Sequence, residues 1–376
     1  MIDYLNTGLT DLDLQLMNEN FVDYRKKLSG NFSRAKSAAK GDTCYYCGKK
    51  VSSFCNSHNI PQFCLKNIDE NGKLKYYNEF MGMPLLDSEK GINNAGTFHI
   101  ICKACDAKIF QEYENPDNYI SVSFNPSELM IAEIAMKDYL KAISKRKIEV
   151  EMYKILDEET PLSMGHLVAN KKNEVNDLDL VEYSNNFNKA KRVAESLKNG
   201  QKVNEGYDVV YSQRLDYVVP IALQSCFSMV SDFIGDKVND VYNMSPNYHP
   251  RDIHLAVLPM KDSSIILMFV DSHERVYRNF IRAFKHLSDE DKLGVISYLI
   301  FLYTEDYFIS PEASSDILDN EELKRAFVNT SDAIASGWKM TEQQAKDQAS
   351  KATRERMRLD KWKNVPCVFD KKYSIG

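Results

Sequence analysis

Four of the eight cysteines in this chain fall in two Cys-x-x-Cys pairs, Cys44/Cys47 and Cys102/Cys105. Each pair turns the backbone so that two sulfurs face one centre, and two such pairs close a tetrahedral four-thiolate shell around zinc. A closed shell leaves no open coordination position, so a zinc ion there braces the fold and does no chemistry itself. Between the pairs lies Ser57-His58-Asn59-Ile60-Pro61. An imidazole titrating near neutrality can take a proton from water, which makes His58 the candidate base. It could equally serve to hydrogen-bond a backbone carbonyl beside the metal. Cys55 and Cys64 are alternative ligands by position, but free cysteines are commonly small core residues. His99 reads as packed in a strand, and His249, His254 and His273 as ordinary surface or core histidines without ligand spacing.

The elements that would position these residues divide the chain into five stretches. Residues 1–40 form an arm that turns basic. From Arg25 to Lys50, the cations Arg25, Lys26, Lys27, Arg34, Lys36, Lys40, Lys49 and Lys50 face only Asp42. Such a run is either a solvated, mobile arm or a surface that contacts phosphates. Residues 41–120 form the zinc module. Gly48 suits the turn after the first knuckle, Phe98–Ile101 reads as a short strand, and Asp106–Glu114 reads as a helix with Ile109, Phe110 and Tyr113 on one face. Knuckle, His-bearing turn, strand, knuckle and helix together outline a treble clef.

Residues 121–206 form a helical connector. Asn125-Pro126-Ser127-Glu128 predicts a capped helix start, with the helix running to about Leu156. A second helix is expected over Glu182–Lys198 inside an otherwise loose polar region, ended by Gly200. Residues 207–310 turn to β pattern at 209–211, 217–223, 253–258 and 265–270, the last two joined by a turn at Asp262–Ser264. Helices are expected over 274–286 and 289–303, the latter capped by Ser288 with Asp291. Residues 311–376 end in a charged helix over 341–363. The fold class is α+β, with a zinc module, a linker helix and a mixed domain of antiparallel strands.

The layout Cys44-x-x-Cys47, Ser57-His58-Asn59-Ile60-Pro61, Cys102-x-x-Cys105-Asp106 resembles the HNH and endonuclease VII group of ββα-metal nucleases. The resemblance covers Asp42 to Glu114 and its flanks. It implies that His58 is the general base and that Asp106 helps to hold a catalytic Mg2+ or Mn2+ ion against the scissile phosphate. The sequence departs from that pattern at Ser57, where the group usually has an acidic residue. Asn93 and Asn94 are the nearest candidates for its middle asparagine, and Glu112 or Glu114 for the missing carboxylate. The group also implies a DNA or RNA substrate, DNA first, and a frequent role in defence against phages. Because such sites cut one strand at a time, a homodimer would suit double-strand breaks.

Composition fits this reading without requiring it. The chain has 376 residues, 43% apolar and 27% charged, with a formal net charge of −6. That describes an ordinary globular protein large enough for two or three cores. The N-terminus lacks a signal-peptide pattern, and the longest apolar run, Val295–Tyr303, is too short for a bilayer. A cytoplasmic setting with reduced thiols is expected, with no membrane partner. Two functions follow: a metal-dependent endonuclease whose C-terminal domain senses an activator, or a zinc module that binds nucleic acid or protein without cutting.

Overall fold

The computed structural model describes residues 21–77, 79–80, 83–84, 89–121, 123–159, 164–243, 245, 247–304, 307–328 and 341–376. The basic segment is helical from its first described residue, as α1 (Phe21–Ala38). Leu28, Phe32 and Ala35 recur on one face of α1 and pack against Ile148, Met152 and Ile155. An apolar stripe at this spacing docks the helix and leaves its lysines on the outer faces.

The module that follows consists of β1 (Ser57–His58), α2 (Gln62–Leu65), β2 (Lys73–Tyr77), β3 (Glu79–Phe80), β4 (Met83–Pro84), β5 (Glu89–Gly91), β6 (Thr97–Phe98) and α3 (Lys103–Ile109). β1 pairs antiparallel with β6, Ser57 opposite Phe98 and His58 opposite Thr97. α3 starts and stops earlier than its apolar spacing suggested. Cys102 is its extended N-cap, and the knuckle itself makes the first turn.

α4 (Glu128–Glu159) is capped by Ser127, whose Oγ accepts from the Met130 amide at 3.0 Å, not by Asn125. Every residue from Met130 to Leu140 is buried. A helix buried on every face lies inside the molecule even where Glu133, Lys137 and Asp138 are among its residues, and α4 runs between the four-cysteine module and the main sheet. α5 (Met164–Lys198) is far longer than the expected Glu182–Lys198. Its Leu180, Tyr183, Phe187, Ala190, Ala194 and Leu197 recur every three or four residues and pack in the same core as α4. So narrow a seam suffices for an antiparallel helix pair even when every other face is polar. Gly200, at φ +68°, ends the helix as its type suggested.

The remaining elements are β7 (Tyr207–Leu215), β8 (Ile221–Phe227), β9 (Ile253–Pro259), β10 (Ser264–Asp271), α6 (Arg278–Lys285), α7 (Asp289–Tyr303), β11 (Tyr307–Ile309), α8 (Ser315–Leu318), α9 (Glu321–Val328) and α10 (Glu342–Arg356). The strands form a seven-stranded antiparallel sheet in the order β5-β2-β11-β8-β9-β10-β7. β2 and β5 come from the four-cysteine segment, which therefore shares one sheet with the strands of residues 207–309. β2 joins it through β11, with Tyr76 opposite Phe308.

Alternation along the strands separates two cores. Ala256, Leu258, Ile265, Leu267 and Phe269 face α4 and the zinc module, whereas Leu255, Val257, Ile266 and Met268 face α6 and α7. The β9–β10 turn lies at Met260–Ser263, closed by the Met260 amide on the Ser263 carbonyl at 2.7 Å. α7 is capped by Ser288 as expected, and α10 by Thr341 with Gln344. The charged terminal helix is shorter than expected and passes into a 3-10 turn over Leu359–Asn364. The Trp362 ring of that turn lies against Gly294 of α7, where a Cβ would come within 2.6 Å. The fold is α+β with antiparallel sheets. No helix among the described residues is long and apolar enough to cross a membrane.

Candidate metal centre and the His58 hairpin

The first knuckle closes on itself. The Gly48 amide donates to the Cys44 carbonyl at 2.8 Å and the Cys44 amide to the Lys49 carbonyl at 2.9 Å. Gly48 has φ +70°, a conformation that glycine adopts without strain. The Tyr45 amide then binds the Ile100 carbonyl and the Cys55 amide the Ile101 carbonyl, each at 2.8 Å, which brings the second knuckle alongside. The Sγ atoms of Cys44, Cys47, Cys102 and Cys105 all lie within 4.8 Å of one another. Sulfurs about 2.3 Å from a tetrahedral zinc would be separated by just under 4 Å, so the four can hold such an ion.

Electrostatics agree with the geometry. Burial works to raise the Cys44 thiol, but the backbone amides of Cys47 and Cys102 outweigh it and hold the group at about 7. The Cys102 amide donates to Cys44 Sγ at 3.3 Å. Cys105 is pushed well up, by burial and then by the neighbouring sulfurs, because four thiolates cannot share one site without a cation between them. Cys55 and Cys64 lie outside the cluster. Cys64 is buried among apolar residues, and the Cys55 thiol, raised to about 12 by burial and Asp106, donates to Asp106 Oδ2 at 3.1 Å.

β1, β6 and α3 place Ser57, His58 and Asp106 around this cluster. Ser57 Oγ donates to Asp106 Oδ1 at 2.5 Å, so the residue before the histidine and the residue after the last cysteine meet. His58 is half-buried, and its Nε2 lies 3.1 Å from the Ile92 carbonyl oxygen. A carbonyl can only accept, so Nε2 carries the proton and the neutral ring presents a bare Nδ1. Burial lowers the His58 pKa, with the Ile92 bond and nearby Glu114 and Asp106 acting against it. The ring is therefore held in its neutral, proton-accepting form at neutral pH. No direct bond joins His58 to Asp106 among the described residues.

The other candidates are placed as follows. Asn93 accepts from Gln62 Nε2 at 2.9 Å through its side chain, in the same turn as Ile92. Glu112 accepts from Ser127, while Glu114 pairs with Lys137. His99 is half-buried, outside the sulfur cluster, and driven down to about 4 by burial and by Lys36, Lys40 and Lys141. Of the basic run, Lys26, Lys27, Arg34 and Lys40 are exposed and Lys36 is half-buried. Lys49 and Lys50 flank the first knuckle, Lys50 lying 3.3 Å from Asp42. The side chain of Arg25 lies outside the described residues.

The residues that hold the hairpin from beneath escape a reading of motifs. Lys137, wholly buried on α4, donates to the His58 carbonyl oxygen at 2.7 Å and lies 4.4 Å from the centre of the Phe110 ring. Asn59 Nδ2 donates to the Gln224 carbonyl at 2.5 Å, and Gln224 Nε2 donates to Asp138 Oδ1 at 2.9 Å. Asp138 Oδ2 in turn lies 2.7 Å from His254 Nδ1, and that ring stacks on Phe269. His254 is thus a core histidine inside a polar chain that ties β1 through α4 to β8 and β9. Charged residues at apolar positions of α4 (Glu133, Lys137, Asp138) were the available signal.

Below this chain lies a cavity of about 310 Å³ between α4, α5 and the sheet, lined by Asp138, Arg146, Glu182 and Asp252 among others. Asp252 accepts from Ser228 at 2.8 Å, but its Oδ2 is buried without a partner among the described residues, and burial raises the carboxyl to about 6. A carboxylate raised on folding stabilises the protein below its unfolded pKa, near 4, and loses that contribution as pH rises through 6. The difference is worth on the order of 3 kcal/mol at most. Urea unfolding at pH 4.5 and pH 7 is therefore expected to show Asp252→Asn gaining stability over wild type only at the higher pH. An equal gap at both values would refute the assignment.

Comparison of the chain with models of known families, with curated proteins and with solved structures finds no match.

Proposed function

We propose that the chain is a metal-dependent endonuclease hydrolysing DNA or RNA, DNA being the first candidate, with its nuclease centre on the β1–β6 hairpin and α3. The observation that carries the reading is the bond from His58 Nε2 to the Ile92 carbonyl oxygen, which leaves Nδ1 as a neutral base. In this reading Nδ1 takes a proton from water as the water oxygen forms a new bond to phosphorus. The P–O ester bond breaks, and the departing oxygen is protonated from solvent. Asp106, with Ser57 beside it, would hold a Mg2+ or Mn2+ ion, which supplies charge neutralisation at the phosphate. A carboxylate has lone pairs beyond the two engaged by Ser57 and Cys55. The four-cysteine zinc would brace a treble clef and take no part in the chemistry.

The second reading, a zinc module that binds nucleic acid without cutting, is favoured by one observation. Both oxygens of Asp106 already accept hydrogen bonds within the protein. Plasmid nicking separates the two. Wild-type protein with Mg2+ or Mn2+ is expected to nick, and His58→Ala to slow nicking by a factor of about 10²–10⁴ while keeping its zinc. Zinc-loaded wild-type protein that leaves both DNA and RNA intact would transfer the conclusion to the binding reading. A C-terminal activator and a homodimer belong to the same proposal, and size measurement with and without DNA tests the dimer.

A further inference from the structure

The peptide that joins His58 to Asn59 is held at both of its polar groups. Lys137 of α4 donates to the His58 carbonyl oxygen at 2.7 Å, and the Asn59 amide donates to the Gly96 carbonyl at 2.9 Å. The next residue of α4, Asp138, reaches the same place by a longer path. Its Oδ1 accepts from Gln224 Nε2 at 2.9 Å, and that nitrogen also lies 3.3 Å from Asn59 Oδ1. Asn59 Nδ2 answers with a bond to the Gln224 carbonyl at 2.5 Å. The Tyr113 hydroxyl is shared between Gln224 Oε1 and the Asn59 carbonyl. At the far end, Asp138 Oδ2 meets His254 Nδ1 at 2.7 Å.

The carboxylate gives this path its direction. It can only accept, so it draws the Gln224 NH2 toward α4 and leaves the amide oxygen for Tyr113. Half a turn of the amide would set oxygen against carboxylate. Stability alone does not call for such an arrangement. Asn59, Asp138, Gln224 and His254 are each 3% exposed or less, and apolar residues of similar volume serve a core as well as buried charged pairs do. What the polar set adds is a single orientation, because a satisfied network in a low-dielectric interior resists rearrangement.

We propose that Asp138 is a positioning residue for His58. Through the Gln224 amide and Asn59 it holds the hairpin at the angle where His58 Nε2 meets the Ile92 carbonyl and Nδ1 is left bare. Asp138 itself never touches the reacting atoms. His254 anchors its far oxygen, with the imidazole flat against Phe269 at 4.6 Å between ring centres. The effect on rate rests on the nuclease reading above, whereas the hold on the ring does not.

The test uses the full, zinc-loaded chain carrying isotopically labelled histidine. A long-range proton–nitrogen NMR spectrum separates a bare ring nitrogen from a protonated one, and His58→Ala picks out the His58 signals among the seven histidines. Wild type is expected to show one tautomer, protonated at Nε2. Gln224→Met keeps the length and removes the relay. It is expected to mix the tautomers and to lower the nicking kcat about tenfold, with KM changed less than about twofold. Asp138→Ala is expected to act alike. Asp138→Asn is expected to keep both readouts at wild-type values, since its oxygen can face Gln224 and its NH2 a His254 of the other tautomer. Asn239→Ala is the control, because Asn239 is equally buried and donates to the Met229 carbonyl at 2.8 Å, in the other core. Its loss should lower stability and leave the His58 signals in place. A His58 tautomer unchanged in both Gln224→Met and Asp138→Ala would overturn the proposal, as would an equal disturbance in Asn239→Ala. If neither Gln224→Met nor Asp138→Ala folds, the path serves stability first and the proposal falls. Mixed tautomers with a wild-type nicking rate would keep the positioning and remove His58 as the base. Mixed tautomers in the variants of a protein that never nicks would keep the positioning and end the nuclease reading.

Discussion

Removing metal from the four-cysteine cluster is expected to unfold the segment from Asp42 to Glu114 and to destabilise the whole chain by several kcal/mol. The elements of that segment cannot stand alone. β1 and β6 have two residues each and α3 has seven, far below the length at which an isolated helix is stable. What joins them is the meeting of the two knuckles, and structural zinc in finger peptides supplies roughly 10–16 kcal/mol at neutral pH. Only part of that appears as lost stability here, because Ile60, Ile101, Phe110 and Tyr113 also pack into the core beneath. Cys44→Ser and Cys105→Ser should each abolish stoichiometric zinc in elemental analysis, lower the unfolding midpoint and open this segment to protease. Cys55→Ser and Cys64→Ala should keep the metal, since neither sulfur belongs to the cluster. A metal-free wild-type protein with an unchanged unfolding midpoint would end the structural-zinc reading.

The contrast among these cysteines shows what was legible. A Cys-x-x-Cys pair is a local device, so spacing alone located both halves of the four-cysteine cluster, and distance in sequence between them did not matter. Caps such as Ser288 and stops such as Gly200 were readable for the same reason, because their partners lie within a few residues. Relations between distant segments were not. β2 reads Lys-Leu-Lys-Tyr-Tyr, a weak strand pattern, and joins the main sheet by pairing with the distant Tyr307–Ile309 on one side and with β5 on the other. The first half of α5 reads as loose because its sequence is polar and rich in Asn, Lys and Glu. The motif puts the cap at Asn125, yet it is the Ser127 hydroxyl that reaches the Met130 amide. His254 carried no ligand spacing, and its burial follows from the alternation of β9, which turns it toward Asp138. At the β1–β6 hairpin the motif singles out His58, but not the Ile92 carbonyl that selects its tautomer.

The largest single-residue effect outside the metal centre is expected at Glu114, through Lys137. The Lys137 side chain has 0% exposure, whereas that of Glu114 has 37%, so the pair is sealed on the ammonium side and open on the carboxylate side. Glu114→Ala leaves the ammonium with the His58 carbonyl and the faces of Phe110 and Tyr113 as partners. Stranding a buried charge costs about 3–5 kcal/mol in a sealed site, and water entering over the Glu114 side should reduce this to roughly 2–3 kcal/mol. Lys137→Met removes the charge, keeps the length, and fits between the same rings, so its stability should stay within about 1 kcal/mol of wild type. Combining the two changes should then cost little more than Lys137→Met alone, a non-additivity that urea unfolding can read directly. The nicking activity proposed above should follow a different order. Lys137→Met deprives the His58 carbonyl of its donor and loosens the hairpin, so its activity should fall several-fold while its stability holds. If Glu114→Ala proves no more harmful to stability than Lys137→Met, the ammonium is not confined as described. The link from α4 to His58 would then have to run through Asn59 and Gln224.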